Sequence, residues 1–74
     1  MTKETKELII DCAEEMEVEI RRNDIHVKDY EYRRLFYGIA CDAALIYMDE
    51  GKLDKAANIL KLANANYNQK PFDD

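Results

Sequence analysis

The chain has no serine and no tryptophan, and only one histidine, one proline, two glycines and two cysteines in 74 residues. Each shortage removes something. Without serine there is no serine nucleophile. His26 stands alone, with no second metal-type ligand at helical or loop spacing, so no zinc site can be read. Cys12 and Cys41 both fall in apolar periodic segments. That reads as two small reduced core residues, not activated thiols; one buried disulfide between helices is the geometric alternative. No run alternates oxygen donors around a glycine as a calcium loop does.

Positive charge is also scarce. Eleven basic residues face sixteen acidic ones, for a net charge of −5. A protein held by phosphates normally carries a clustered positive field, so direct nucleic-acid binding is not expected. The longest apolar run, Leu35–Met48, is too short and too closely flanked by charge to span a bilayer. Met1–Glu7 lacks the apolar core of a secretory leader. The expected setting is the cytoplasm, with no membrane, no metal and no cofactor, and an enzyme is not expected.

Seventy-four residues make one domain, 1–74, small enough to need good packing, a staple or a partner subunit. Its charge is uneven: residues 1–22 and 23–51 each carry −3, and 52–74 carry +1. A first helix could thus face a third with complementary charge.

The chain is rich in helical periodicity. Ile9, Cys12, Ala13, Met16 and Ile20 recur at spacings of three and four, widened by Leu8, so a helix is predicted over about 3–22. Thr2 or Thr5 suits its start and Arg21–Arg22 its end. Asn23–Asp24 breaks it, and Ile25-His26-Val27 reads as a short extended link whose apolar residues pin it to the bundle. Asp24 or Asp29 can cap the second helix.

That second helix, about 29–50, contains Leu35–Met48, in which Asp42 is the one charged residue. It carries two apolar stripes. One is Tyr32, Phe36, Ile39, Ala43, Ile46 and Tyr47; the other is Tyr37, Ala40, Cys41, Ala44, Leu45 and Met48. A narrow polar strip of Glu31, Gly38, Asp42 and Asp49 lies between them. A helix apolar on several sides expects neighbours on more than one face, and Ala40, Ala43 and Ala44 let them approach closely. Gly51 is its left-handed stop. A third helix, about 53–67, sets Leu53, Ala56, Leu60, Ala63 and Tyr67 in a stripe beside Ile59 and Leu62. Pro71 bars its continuation, leaving 69–74 as a tail.

Within 40–68 the spacing is specific. Ala44 and Tyr47 precede the turn at Gly51, Lys52-Leu53-Asp54-Lys55-Ala56 opens the next helix, and Leu60 and Ala63 take large and small positions. This stretch resembles one tetratricopeptide unit, a helix–turn–helix normally repeated every ~34 residues. Ala40 stands where the family has a large aromatic, and Asn68 where it has a proline. A single unit lacks the neighbours that build a concave peptide groove. The resemblance therefore implies an all-α three-helix bundle whose second and third helices form a tetratricopeptide-like antiparallel hairpin, with Tyr47 and Leu60 filling the gap between them.

Two surfaces are candidates for function. Tyr30, Tyr32, Arg33, Arg34 and Tyr37 gather tyrosine and arginine, the residue types that dominate binding hot spots; the plainer reading pairs the arginines with glutamates of the first helix and packs the tyrosines as core edges. Glu7, Asp11, Glu14 and Glu15, with Glu4, form an acidic side of the first helix that could mimic a phosphate backbone, or simply be its solvated face. The leading expectation is a small non-enzymatic adaptor or regulator that binds another protein through the tyrosine–arginine cluster and self-associates as a homodimer. One alternative is an acidic inhibitor, of the type phages and mobile elements encode, that occupies a nucleic-acid-binding surface of a host protein. Another is a structural subunit of a larger assembly.

Overall fold

A computed structural model describes residues 1–23 and 27–69; the Asp24–His26 stretch and residues 70–74, including the expected tail and Pro71, lie outside the described residues. Three helices succeed one another: α1 (Lys3–Arg22), α2 (Tyr30–Asp49) and α3 (Leu53–Asn68). No strand occurs among the described residues.

Their ends are set by local chemistry. Thr2 caps α1, its hydroxyl accepting from the Thr5 amide at 3.1 Å. Asp29 caps α2, its carboxylate accepting from the Glu31 amide at 3.0 Å. At the far end of α2, Gly51 adopts φ +77°. The Gly51 amide donates to the Met48 carbonyl at 3.0 Å, and the Lys52 amide to the Tyr47 carbonyl at 2.7 Å. This pair of bonds is a Schellman closure, which needs a left-handed residue at the turn and so favours glycine. α3 closes differently, on Gln69 at φ 54°. Its side-chain amide donates to the Asn66 carbonyl at 2.7 Å.

The turn at Gly51 sends α3 back along α2, and Tyr30 and Tyr37 of α2 meet Tyr67 near the end of α3. The two helices are therefore an antiparallel hairpin. They pack on each other far more extensively than α1 packs on α2, and α1 scarcely touches α3. The core runs along α2: Phe36, Ala40, Ala43, Ala44 and Tyr47 meet Ala13, Met16 and Ile20 of α1 and Ala56, Ile59, Leu62 and Ala63 of α3. Val27, in the link before α2, packs against the same cluster. All of this is an all-α three-helix bundle.

Several expected core positions are not in the core. Leu8 is 69% exposed and Cys12 is exposed. Both sit at the edge of a stripe whose buried members are Ala13, Met16 and Ile20. Cys12 and Cys41 are both free. On α3 the covered stripe is Ala56, Ile59, Leu62, Ala63 and Asn66, while Leu53 and Leu60 lie outside it. With α1 seated mainly on α2, α3 has one neighbour of substance, and only one narrow face is covered. Ile59, not Leu60, is therefore the large buried residue of that helix turn. On α2 the first stripe is covered, but Tyr37, Leu45 and Met48 of the second stay exposed. Asp42 faces water. Charge does not join the outer helices: among the described residues the ion pairs are Lys6–Asp49, Arg21–Glu17 and Lys52–Glu50, and none links α1 to α3. No helix among the described residues is long and apolar enough to cross a membrane.

Candidate functional site

The five residues of the tyrosine–arginine cluster do not stay together, and helical geometry explains why. Tyr32 and Tyr37 are five residues apart, which turns their side chains well away from each other on a helix of 3.6 residues per turn. Tyr32 is half-buried and packs against the core. Burial first, then the nearby Glu19 carboxylate and Cys12 of α1, raise its hydroxyl pKa above the usual tyrosine value. It belongs to the α1 side and leaves the candidate surface.

Arg33 also has another task. Its Nη1 donates to the carbonyls of Val27 at 2.9 Å and Lys28 at 2.8 Å, clasping the link to the first turn of α2. The same guanidinium lies 5.7 Å from the Tyr30 ring centre. The Gln69 side chain reaches the Val27 carbonyl at 3.5 Å, so the ends of the link and of α3 converge on one acceptor. Neither Arg33 nor Arg34 pairs with a glutamate of α1 among the described residues.

What remains is Tyr30, Arg34 and Tyr37, and the hairpin adds Tyr67. The rings of Tyr30 and Tyr37 lie 6.0 and 5.4 Å from that of Tyr67, both tilted, within the range of favourable aromatic contact. The Tyr30 and Tyr67 hydroxyls are 3.2 Å apart. That hydrogen bond is the main cause of a raised Tyr67 pKa, partly countered by Arg34 and Arg33. Arg34, Tyr37, Asn64, Tyr67 and Asn68 line a hollow of about 360 Å³. The Asn68 amide donates to the carbonyl and the side-chain oxygen of Asn64, both at 2.9 Å, fixing that wall. No carboxylate lines this hollow. Tyr67, Asn64 and Asn68 escape a reading of the sequence because Tyr67 looks like core. The signal is there, since Tyr37 and Tyr67 lie at similar chain distances from Gly51 and an antiparallel hairpin brings such residues together.

The acidic residues of α1 lie over a different feature. Because α1 and α3 barely meet, a furrow runs between them with Tyr47 at its floor. Its two adjoining parts, about 260 and 300 Å³, share Glu14, Tyr47 and Lys55. Glu7, Asp11 and Glu14 stand on one side, but Lys3, Lys6, Lys52 and Lys55 stand beside them. Glu15 is exposed and outside the furrow. Lys55 Nζ lies 5.7 Å from the Tyr47 ring centre. Burial, then Glu14, Glu17 and Glu50, raise the Tyr47 pKa. Among the described residues no three histidine, cysteine or carboxylate side chains are grouped to hold a metal ion.

The raised values set a pH dependence. Tyr32, Tyr47 and Tyr67 are neutral when protonated, and each folded pKa lies above the unfolded value near 10. Their contribution to stability is therefore complete below about pH 10 and is lost as pH rises through the folded values. Thermal melts should fall in temperature above about pH 10, in step with tyrosinate absorbance. Tyr47→Phe should remove part of that fall and leave neutral-pH behaviour nearly unchanged. An alkaline fall identical in wild type and Tyr47→Phe would show that Tyr47 does not ionise with loss of structure.

No family model matches this chain, and neither the curated proteins nor the solved structures contain a match to it.

Proposed function

We propose that the protein is a small non-enzymatic adaptor or regulator that binds another protein through the hollow formed by Arg34, Tyr37, Asn64, Tyr67 and Asn68, with Tyr30 at its edge, and that it acts as a self-associating module. The observation that carries this is one packed tyrosine group beside an arginine that pairs with no carboxylate among the described residues. Tyrosine contributes large area at low entropy cost and keeps a hydroxyl for hydrogen bonding. Arg34 and the two asparagine amides supply donors to a wall that has no acid of its own. The fitting partner surface presents a carboxylate next to an apolar or aromatic side chain. The hairpin that carries the hollow is read as a single tetratricopeptide-like unit, used here by its end and not by a concave groove.

The test is affinity capture from the native cell with wild type, Tyr37→Ala, Tyr67→Ala and Arg34→Ala. All three positions are at least partly open to solvent, so the variants should keep wild-type helicity. A partner retained by the wild type should be lost or weakened at least about tenfold by each, the size expected of hot-spot truncation. Equal retention by all four proteins would remove the hollow from consideration. Arg33 is the wrong residue for this test, because its loss would loosen the link it clasps.

The inhibitor reading ranks second. Glu7, Asp11, Glu14 and Glu15 are all exposed as it requires. However, Lys3, Lys6, Lys52 and Lys55 interrupt the negative field at the furrow, and a mimic of a phosphate backbone depends on an unbroken one.

A further inference from the structure

The outward face of α2 is apolar where the chain itself offers it nothing. Leu35 is 58% exposed and Leu45 64%, and Met48 is half-exposed beside them. Gly38 and Asp42 lie between these leucines on the same face, at helical spacing. Glu31, Arg34, Leu35, Gly38, Ile39, Cys41 and Asp42 line a broad hollow of about 650 Å³ there.

Gly38 is the most telling of them. Glycine weakens a helix interior, because the unfolded chain loses more freedom at it than at alanine. It is tolerated where a backbone must come close to something. Yet a Cβ at Gly38 would meet nothing within 4 Å inside this chain. The fold does not need a glycine at this position, so any close approach that uses it comes from outside.

The charges say which partner fits. Arg34 and Asp42 are exposed, and neither forms an ion pair among the described residues. They lie on opposite sides of Gly38 at equal sequence separation. If a second α2 is laid antiparallel on this face, with its crossing between Gly38 and Cys41, Arg34 of each copy comes opposite Asp42 of the other. The same register sets Leu35 of each copy against Leu45 of the other, each within about 9 Å of the crossing at 1.5 Å rise per residue. Two-fold symmetry makes every such contact twice. Glu31 and Asp49 fall at the rim, in water, and Asp49 is already met by Lys6 at 3.7 Å. A face that complements itself in charge, matches its own leucines and leaves a gap at its centre is suited to a copy of itself.

We infer that the protein forms a two-fold dimer through the outward face of α2, crossing at Gly38, with reciprocal Arg34–Asp42 pairs and Leu35–Leu45 contacts between the copies. This rests on the self-association proposed above and gives it a geometry, independent of whether the tyrosine hollow binds a partner.

The experiment is a mass measurement by sedimentation equilibrium on the full chain, over a wide concentration range. Wild type, Arg34→Asp, Asp42→Arg, the double swap, and an equimolar mixture of the two single variants are compared. The wild type should be a dimer, and each single reversal should weaken dimerisation at least about tenfold, since it sets like charges opposite each other twice. The double swap and the mixture should both recover it, because each restores two opposite-charge pairs. Leu45→Lys, at an exposed position that folding does not use, should also give monomer with unchanged circular dichroism. Tyr37→Ala should remain dimeric, which separates this surface from the partner-binding hollow. A monomeric wild type at every concentration, a wild type larger than a dimer, or single reversals that dimerise as well as wild type would each overturn the inference. So would failure of the mixture and double swap to recover the dimer.

Discussion

Replacing Phe36 by alanine should lower the free energy of unfolding by about 3–5 kcal/mol. Phe36 is fully buried and is the largest such side chain in the chain. It lies on α2, the helix both others pack against, so its ring is shared by elements that hardly touch each other directly. A chain of this length has a total stability of roughly 4–11 kcal/mol. Losing about 3–5 kcal/mol therefore removes a third or more of it, and at the low end leaves an unfolded protein. Denaturant melts followed by circular dichroism measure this, and the melting temperature should drop by more than about 10 °C. Leu8→Ala is the control. Leu8 is 69% exposed, and its truncation should move stability by no more than about 0.5 kcal/mol. If the two substitutions cost the same, α2 is not the centre of the bundle.

The contrast between those residues shows where the sequence could be read and where it could not. Both are large, apolar and at helical spacing. Phe36 lies in a helix apolar enough to require neighbours on several sides, and that alone places it inside. Leu8 lies in a helix with one partner, and periodicity does not say how wide the covered stripe is. The same ambiguity exchanged Leu60 for Ile59 and put Cys12 outside. The all-α bundle was legible because Gly51 marks one turn with a specific backbone demand and Asn23–Asp24 interrupts the first periodic run. The candidate surface was legible only in part. Arg34 and Tyr37 were found as members of a local cluster, but Tyr67 joins them across the hairpin. Arg33 left them because two backbone carbonyls of the link needed a donor. Contacts between residues distant in sequence, and hydrogen bonds to main-chain atoms, leave no periodic trace. The fully buried Asn66 is the plainest case, since three asparagines near a helix end read as fraying and one of them is core.

The second large effect concerns the alanines of α2, and it depends on which neighbour each one faces. Tyr37 meets Tyr67, and Ala44, two turns further along the same side, therefore faces α3. Tyr32 lies against the α1 side near Glu19 and Cys12, and Ala43, three turns on from it, faces α1. Both alanines are buried, at 2% and 0% exposure, and both hold their helices at the short separation that small side chains permit. A leucine at either position adds three carbons to a packed interface, which costs about 1–3 kcal/mol when the surroundings cannot move. The surroundings differ. α3 is tied to α2 by the closure at Gly51 and by the tyrosine contacts at its far end, so it cannot shift without breaking one or the other. α1 is attached to the rest by a smaller interface and has almost no contact with α3, so it can slide outward. Ala44→Leu is thus expected near the upper end, about 3 kcal/mol, and Ala43→Leu near the lower, about 1 kcal/mol. Urea melts give both values. The Ala44→Leu variant should also lose the close Tyr37–Tyr67 contact, seen as a change in near-ultraviolet circular dichroism, while Ala43→Leu should keep it. Equal costs would mean that α1 is held as rigidly as α3, and the furrow over Tyr47 would then be a fixed feature of the fold and not a seam along which the bundle can give.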